Sequence, residues 1–131
     1  MTNAEAYLMG LLTGDTTLMN LVANRVYLDA PHPDARPPFV LVTFYGASDT
    51  VGVGGVRILS EVDYTARVVA KQADPNADTI ALRIDTLLHK AAPNTALGVL
   101  GCVRQKPVSF LDDDKGVLLK HTGGIYRVYI V

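Results

Sequence analysis

The stretch VRILSEVDYTARVVAK, Val56–Lys71, decides the fold, because it is the longest clean alternation of apolar and polar residues in the chain. Side chains on a β-strand point alternately to its two faces, so the pattern predicts one apolar face and one charged face. The predicted apolar face holds Val56, Ile58, Val62, Tyr64, Ala66 and Val68, and the predicted charged face holds Arg57, Glu61, Asp63, Thr65, Arg67 and Lys71. At about 3.3 Å per residue such a strand reaches roughly 50 Å, far beyond an ordinary strand of five or six residues. We therefore expect a bulge or turn within it, or a strand that projects beyond its own domain.

Two short helices are predicted before this strand. Thr2 is a helix N-cap with Glu5 three residues later, the pattern of a capping box. Gly14 is expected to end this helix in a left-handed conformation. Asp15 is expected to cap the second helix.

The remaining elements follow from periodicity and from turn residues. Ile80, Ile84, Leu87 and Leu88 keep helical spacing and predict an amphipathic helix after Asp74-Pro75. Strands are predicted at Val26–Leu28, Phe39–Tyr45, Leu97–Val108 and Ile125–Val131, with Val117–Leu119 beginning the last pairing and a turn at Leu111–Gly116. The stretch Phe39–Tyr45 is apolar on both faces, so we expect it to be central and buried.

The segment GASDTVGVGG, Gly46–Gly55, is predicted to be a flexible loop, because its glycines favour no fixed conformation. A phosphate-binding loop is the alternative interpretation of this segment. The segment lacks the Gly-Lys-Ser/Thr ending of such a loop and precedes a strand, not a helix.

Composition limits the classes of protein to which the chain can belong. Its 131 residues suit one domain, residues 1–131, and 49% of them are hydrophobic. Charged residues make up only 19%, which favours burial of some surface in an assembly. A net charge of -1 argues against a dedicated nucleic-acid binder. One cysteine, no apolar run of about 20 residues and no basic N-terminal start predict a soluble product of a reducing cytoplasm.

No catalytic, cofactor-binding or metal-binding set is predicted. The three histidines, His32, His89 and His121, lack metal-ligand spacing, and no serine lies in a G-x-S-x-G motif. Cys102 lies in an apolar strand and is expected to be an inert buried thiol. The run Asp112–Asp114 could hold a divalent ion, but it lacks the ligand spacing of a calcium loop, so a solvated turn is the preferred interpretation.

Several short motifs follow one another in a defined order. Arg25-Val26-Tyr27 comes after the second predicted helix, and Pro37-Pro38-Phe39-Val40 opens the next predicted strand. A glycine-rich segment, a long charged strand and an amphipathic helix come after them. This order resembles the tail completion, or tail-terminator, proteins of long-tailed bacteriophages, which join the tail to the head. In that family R-V-Y follows the second helix and P-P-(F/Y)-V opens the next strand. The resemblance spans nearly the whole chain and is looser after Pro93.

The resemblance implies an α+β fold, a mostly antiparallel sheet of four or more strands with helices packed on one face. It implies a protein without catalysis or cofactor that forms a ring, typically a hexamer, on the head-proximal end of the tail tube. Such a ring ends tube polymerisation and meets the connector or stopper protein of the head. DNA passes through its channel without sequence-specific binding. The protein would then be part of the virion, assembled in the cytoplasm of the bacterial host.

Two sets of residues are expected to make the contacts of such a ring. The first set contacts neighbouring subunits or lines the channel, and it consists of Arg57, Glu61, Asp63, Arg67 and Lys71. A solvated sheet face is the alternative for this set. The second set contacts the tube or connector and consists of Ser48, Asp49, Thr50, Val51, Gly52, Val53 and Gly54. The whole segment Gly46–Gly55 is expected to be mobile in the free subunit and to become ordered on this contact. A head-closure or other connector adaptor protein, and a small α+β ligand-binding domain or enzyme, remain alternatives from the sequence.

Overall fold

A five-stranded sheet with helices on one face forms the structure, a computed structural model that describes all 131 residues, Met1–Val131. The helices are α1 (Asn3–Thr13), α2 (Thr16–Leu21) and α3 (Ala77–Leu88). The strands are β1 (Val26–Leu28), β2 (Phe39–Val51), β3 (Arg57–Lys71), β4 (Val99–Asp114) and β5 (Val117–Ile130). Single 3-10 turns lie at Val53–Gly55 and Thr95–Leu97. None of the helices is long and apolar enough to cross a membrane.

The strands follow the order β1-β2-β3-β5-β4, with β1 parallel to β2 and every other pair antiparallel. The large apolar core holds residues of all three helices and lies on one face of the sheet. We call this side the helix-covered face and the other side the open face. The predicted α+β class, with a mostly antiparallel sheet of at least four strands and helices on one face, is confirmed.

The long strand predicted from the sequence is present in the structure. It contains a bulge, and its first residues extend beyond the neighbouring strand β5. β3 runs from Arg57 to Lys71 and pairs with β2 on one side and β5 on the other. Near its start Ile58 has no partner on β2, which marks a bulge. The pairing of β3 with β5 begins only at Ser60, opposite Ile130. The end of the β2–β3 hairpin therefore extends past the rest of the sheet as two strands.

The apolar face of β3 packs as predicted along most of its length. Tyr64, Ala66 and Val68 are buried in the core beneath the helices. The prediction was wrong for Val56 and Ile58, which are 65% and 55% exposed. They lie on the projecting part of the hairpin, outside the helix-covered core.

A small second apolar cluster lies on the open face. It contains Phe39, Leu41, Val69 and Leu119, with Tyr27 and Ala35 packed against it. The expectation of a buried, central β2 holds for Phe39–Val42, where β1 and β3 flank the strand. Beyond Val42 no partner follows β1, so the rest of β2 is a sheet edge and is mostly exposed.

Two segments predicted as loops are strand instead. Gly46–Val51 continues β2 and pairs with β3, so only Gly52–Val56 forms the turn. Ser48–Val51 of the predicted contact loop are therefore strand residues. Similarly, Asp112–Asp114 continue β4 opposite Val117–Leu119, and only Lys115 and Gly116 connect the strands. In both cases a long neighbouring strand offers backbone hydrogen bonds that outweigh weak local β-propensity.

Thr2 and Asp15 cap their helices as predicted. The Thr2 hydroxyl accepts a hydrogen bond from the Glu5 amide at 3.2 Å, and the Asp15 carboxylate accepts one from the Leu18 amide at 2.9 Å. The predicted left-handed Gly14 was wrong, because its φ is -78°. Glycine is needed there for space, since a Cβ atom would lie 2.8 Å from the Gly10 carbonyl oxygen.

Two leucines of α3 test how strongly the core depends on this helix. Leu88 is fully buried and Leu82 is 68% exposed. We expect Leu88→Ala to lower the free energy of unfolding by about 2–5 kcal/mol, because it leaves a cavity. Leu82→Ala is the matched control and should change it by less than about 0.5 kcal/mol. Urea unfolding followed by circular dichroism measures both, and equal effects would contradict the packing of α3 described above.

Candidate interaction surfaces

We call Arg57, Glu61, Asp63, Arg67 and Lys71 the charged row of β3. The middle of this row is paired inside the chain. Arg127 on β5 lies directly opposite Asp63 and donates two hydrogen bonds to its carboxylate, at 2.9 and 3.2 Å. A third guanidinium nitrogen lies 3.4 Å from a Glu61 carboxylate oxygen. The two carboxylates raise the pKa of Arg127 above its ordinary value, mainly because the Asp63 carboxylate accepts its hydrogen bonds. Arg127 thus balances two negative charges on the open face.

Arg67 is the next charged residue of the row, and it reaches across the sheet. Its Nε donates to His121 Nδ1 on β5 at 2.9 Å, and an Nη1 donates to the Thr43 hydroxyl on β2 at 3.0 Å. Phe110 on β4 stacks on the His121 ring with centroids 4.4 Å apart, and the Arg67 guanidinium lies 5.9 Å from the Phe110 centroid. Burial lowers the pKa of Arg67. These side chains join four strands through one partly buried contact set.

The crowding around Arg67 depends on Gly123, its register partner on β5. A Cβ atom at this position would lie 2.6 Å from the Arg67 Cα atom. Any other residue would push β5 away from β3, so the sheet requires glycine here.

His121 is the one buried polar residue, and its ring is held in a defined state. Because Nδ1 accepts from Arg67, the neutral ring carries its proton on Nε2. That Nε2 has no hydrogen-bond partner, and the nearest acid oxygen, from Asp112, lies 3.7 Å away. Burial, followed by the positive charge of Arg67, lowers the pKa of His121 below its ordinary value.

The two ends of the row differ from its middle. The prediction that Arg57 shares the face of Glu61 and Asp63 was wrong, because the bulge at Ile58 reverses the alternation and places Arg57 opposite Val51, on the side of Asp49 and Ser60. Arg57 is exposed and its Nε lies 3.5 Å from an Asp49 carboxylate oxygen, with the two side chains 70% and 43% exposed. Such surface pairs contribute little to stability. Lys71 is exposed, forms no ion pair within the chain and lines a cavity beside the β4–β5 turn. The structure thus leaves the ends of β3 available and satisfies Glu61, Asp63 and Arg67 internally.

The second predicted set, Ser48–Gly54, forms the β2 side of the projecting hairpin. Ser48 to Val51 lie in the strand, and Val53 and Gly54 lie in the 3-10 turn. Six of these seven residues, all except Gly52, are exposed, and the exposed fractions of Val51 and Val53 are 57% and 102%. With Val56 and Ile58 these valines place four exposed aliphatic side chains at one end of the molecule.

No chemical centre appears beside these surfaces. No group of three or more His, Cys, Asp or Glu side chains is placed to hold a metal ion, and Asp112–Asp114 extend along β4. Cys102 is buried, and this burial raises the pKa of its thiol to about 12.

Sequence reasoning missed the partners of the charged row, Arg127, His121, Thr43 and Phe110. They lie on other strands, and the hydrogen-bonded ones are 24 to 64 residues along the chain from the β3 residue that they contact. One feature of the sequence did point to a partner: the predicted strand Ile125–Val131 contains a single arginine. Glu61 and Asp63 on β3 are stabilised by a basic side chain on a neighbouring strand.

A double-mutant cycle tests the Arg127–Asp63 contact. We expect Arg127→Gln and Asp63→Asn to show a coupling energy of about 1–3 kcal/mol in urea unfolding, because the hydrogen bonds are charge-assisted and partly buried. The matched control is Arg57→Gln with Asp49→Asn, whose coupling should stay below about 1 kcal/mol. Equal couplings would show that the Arg127 contact has no special weight.

The pH dependence of stability tests the state of His121. Its folded-state pKa is lowered, so the unfolded chain binds more protons as the pH falls. The stability tied to the neutral ring is complete above the ordinary histidine pKa of about 6.5 and is lost as the pH falls toward the lower folded value. His121→Asn keeps an acceptor for Arg67 and cannot titrate. Urea unfolding at pH 7.5 and pH 5 should show a smaller loss on acidification in the variant, and an identical loss would contradict this account.

Comparison with known proteins agrees with the resemblance seen in the sequence. A comparison with curated protein sequences gives no match. A solved structure titled "Virion of native gene transfer agent (GTA) particle" contains a similar chain, with a TM-score of 0.67 and 16% identity over 94% of this chain and 90% of that one. At this identity the likeness concerns the fold alone. Residues 6–122 match the family described as "Tail completion protein gp17". Because this match covers most of the sequence, the chain belongs to the tail completion protein family, whose members are structural components of phage virions.

Proposed function

We propose that this protein caps the head-proximal end of the tail tube as a ring, ends tube polymerisation and joins the tail to the head connector or stopper protein. The observation that carries the proposal is the family match over residues 6–122. The resemblance of the motif order to tail-terminator proteins supplies the finer role, and a hexamer is the typical ring size that it implies. The role is that of a structural protein without catalysis.

The surfaces of the chain support an assembly role. A ring forms when two unlike surfaces of each subunit meet head to tail and the rotation closes. Arg57 and Lys71 stand at opposite ends of β3 with exposed charges, and Glu61, Asp63 and Arg67 lie between them. We propose that this row, and above all its ends, contacts neighbouring subunits or borders the channel.

The projecting β2–β3 hairpin supports contact with a further virion protein. Its β2 side, Ser48–Gly54, exposes apolar and small residues away from the core. Exposed apolar residues gathered in one place mark interaction sites. We propose that this side meets the tube or the connector. DNA would pass through the channel without specific recognition, which suits the net charge of -1.

A tube-growth assay tests the proposed function. Tail tube protein of the same virion is polymerised with and without this protein, and lengths are measured by negative-stain microscopy. We expect growth to stop in its presence and a ring with a central hole to appear at one end of each tube. Tubes of unchanged length that carry no bound protein would contradict the proposal. Binding only to the connector would instead indicate a head-closure adaptor.

Charge reversal at Glu61 tests the part played by the row. We expect Glu61→Lys to weaken subunit association at least about tenfold, about 1.4 kcal/mol, because unlike charges in the ring become like charges. Glu61→Gln is the control, since it also loses the ion pair with Arg127 but reverses no charge. Light scattering at matched concentrations measures the mass of the assembly. A Glu61→Lys protein that assembles as fully as Glu61→Gln would remove Glu61 from the interface.

A further inference from the structure

The outer edge of β2 is covered only along its first part. β1 pairs with β2 as far as Val42, whose carbonyl accepts a hydrogen bond from the Asp29 amide at 2.8 Å. Past this point no segment of the chain bonds to the outer edge, so the backbone of Phe44–Val51 is free on that side. A free strand edge is a row of unpaired donors and acceptors on which another extended strand can pair.

The outer edge of β4 is covered in the same partial way. The Lys90 amide donates to the Cys102 carbonyl at 2.8 Å, and the Arg104 amide donates to His89 Nδ1 at 3.1 Å. Past Arg104 no segment of the chain bonds to this edge, so Lys106–Asp113 is free. The two free parts are equal in length, and each is the C-terminal part of its strand.

The outward amides of β2 follow from its pairing with β3. The Gly52 amide donates to the Val56 carbonyl at 2.7 Å across the hairpin, so it points toward β3. Backbone amides alternate in direction along a strand. Past the bulge at Tyr45, three amides of β2 therefore point away from β3, those of Ala47, Asp49 and Val51.

The outward amides of β4 match these in number. The Arg104 amide points outward, and the bulge at Gln105 shifts the alternation by one residue. The residues that then face outward are Pro107, Ser109, Leu111 and Asp113. Proline has no N–H, so three amides remain on this edge as well. Proline and aspartate limit indiscriminate pairing at an edge, so a partner strand has to match the donors that remain.

The strand directions allow one copy to continue the sheet of the next. Each neighbouring pair in the series β2-β3-β5-β4 is antiparallel, so β2 and β4 run in opposite directions. When copies are related by rotation about one axis, β4 of one copy therefore lies antiparallel to β2 of the next. This pairing also keeps the helices of both copies on the same face. Pairing of two β2 edges would instead close a dimer.

The two free parts lie at opposite ends of the sheet. Val51 is paired with Arg57 at the start of β3, while Asp112 lies beside Leu119, which pairs with Lys71 at the end of β3. Pairing of the free parts thus displaces the next copy along the strands. Closing a sheet on itself requires such a stagger. The neighbour's β4 also ends where β1 begins to cover β2, so the two do not compete.

Apolar side chains accompany both free parts. Phe44 and Tyr45 on β2 are about half exposed, and so are Phe110 and Leu111 on β4. Side chains on paired strands pack against one another, so pairing of the two edges would bury part of this apolar surface. The hydrophobic effect would then add to the backbone hydrogen bonds.

We propose that the free edge of β2 in one copy pairs with the free edge of β4 in the next, Phe44–Val51 against Lys106–Asp113. The proposal rests on the ring described under Proposed function and names the contact that builds it. Each copy keeps one free edge of each kind, as closure of a ring requires. The open face then lines the channel, because the helices need the larger circumference outside. The hairpin tip, Gly52–Gly54, extends past the paired edge and remains available for the tube or connector.

A cysteine scan tests the strand pairing directly. One sample carries Ser48→Cys, on the open face beside Glu61. It is mixed in turn with single-cysteine variants at consecutive β4 positions, Val108, Ser109, Phe110, Leu111 and Asp112. Side chains alternate between faces, so we expect disulfide-linked dimers with open-face positions 108, 110 or 112, at least about tenfold more than with 109 or 111. The native Cys102 is buried and does not compete.

A proline substitution tests the backbone hydrogen bonds. Ala47→Pro removes an outward amide that β3 does not use, so we expect association in light scattering to fall about tenfold while the urea midpoint stays unchanged. Thr50→Pro is the control, since its amide points toward β3 and its loss should lower the midpoint. An Ala47→Pro protein that assembles as fully as wild type overturns the pairing. The cysteine scan decides independently of how proline affects folding.

The outcomes are distinguishable from those of the tube-growth assay. Wild-type protein that caps tubes, while no cysteine pair links on those tubes, overturns this contact and leaves the proposed function standing. Linking that does not alternate along β4 also overturns it, as does equal linking in the Ser48→Cys sample alone, which shows β2 meeting β2. An Ala47→Pro ring that is intact but no longer binds tubes assigns the β2 edge to the tube instead. Alternating links in a protein that never stops tube growth support the contact and overturn the proposed function.

Discussion

The structure depends on the pairing of β3 along both of its edges. Twelve residues of β3 pair with β5, and the strand is also paired with β2 over most of its length. Side-chain direction alternates strictly, so this pairing fixes which residues face the helices and which face outward. A slip by one residue would carry Tyr64 and Val68 to the open face and drive Asp63 and Arg67 beneath the helices. Such a slip would bury charges without partners, at a cost of several kcal/mol each.

The open face shows how a sheet manages charges without a covering layer. Arg127 lies opposite Asp63, while the Arg67 guanidinium donates a hydrogen bond to His121 and lies near the Phe110 ring. Each charged group in the middle of β3 therefore has its partner inside the chain, and the long side chains lie along the sheet surface. The same arrangement leaves the most exposed charged groups, Arg57 and Lys71, at the two ends of the strand.

The sequence predicted the features that depend on neighbours along the chain, and it failed where distant strands decide. Helix caps at Thr2 and Asp15 and the alternation of β3 from Ser60 to Lys71 are local features, and these predictions were confirmed. The residues Gly46–Val51 have little β-propensity, so the sequence predicts a loop there. They form a strand because their backbone pairs with the neighbouring β3. The partner Arg127 lies 64 residues from Asp63, and nothing in the local pattern states the register that joins them. The exposure of Val56 and Ile58 could not be predicted for the same reason. An alternating pattern predicts that a strand has an apolar face, but it does not predict which other element packs on that face.

β3 is longer than the core of the protein requires. A strand needed only for the core could end where β5 ends, opposite Ser60, yet the hairpin continues and carries Val56 and Ile58 into solvent. Exposed aliphatic residues on a sheet edge favour aggregation in a free monomer, so a chain that keeps them has to manage that liability. The bulge at Ile58 helps, because it twists the hairpin and interrupts regular edge pairing. Under the proposed function, contact with another virion protein buries these residues. The feature that makes the isolated chain prone to aggregation is then the one that favours its incorporation into a larger structure.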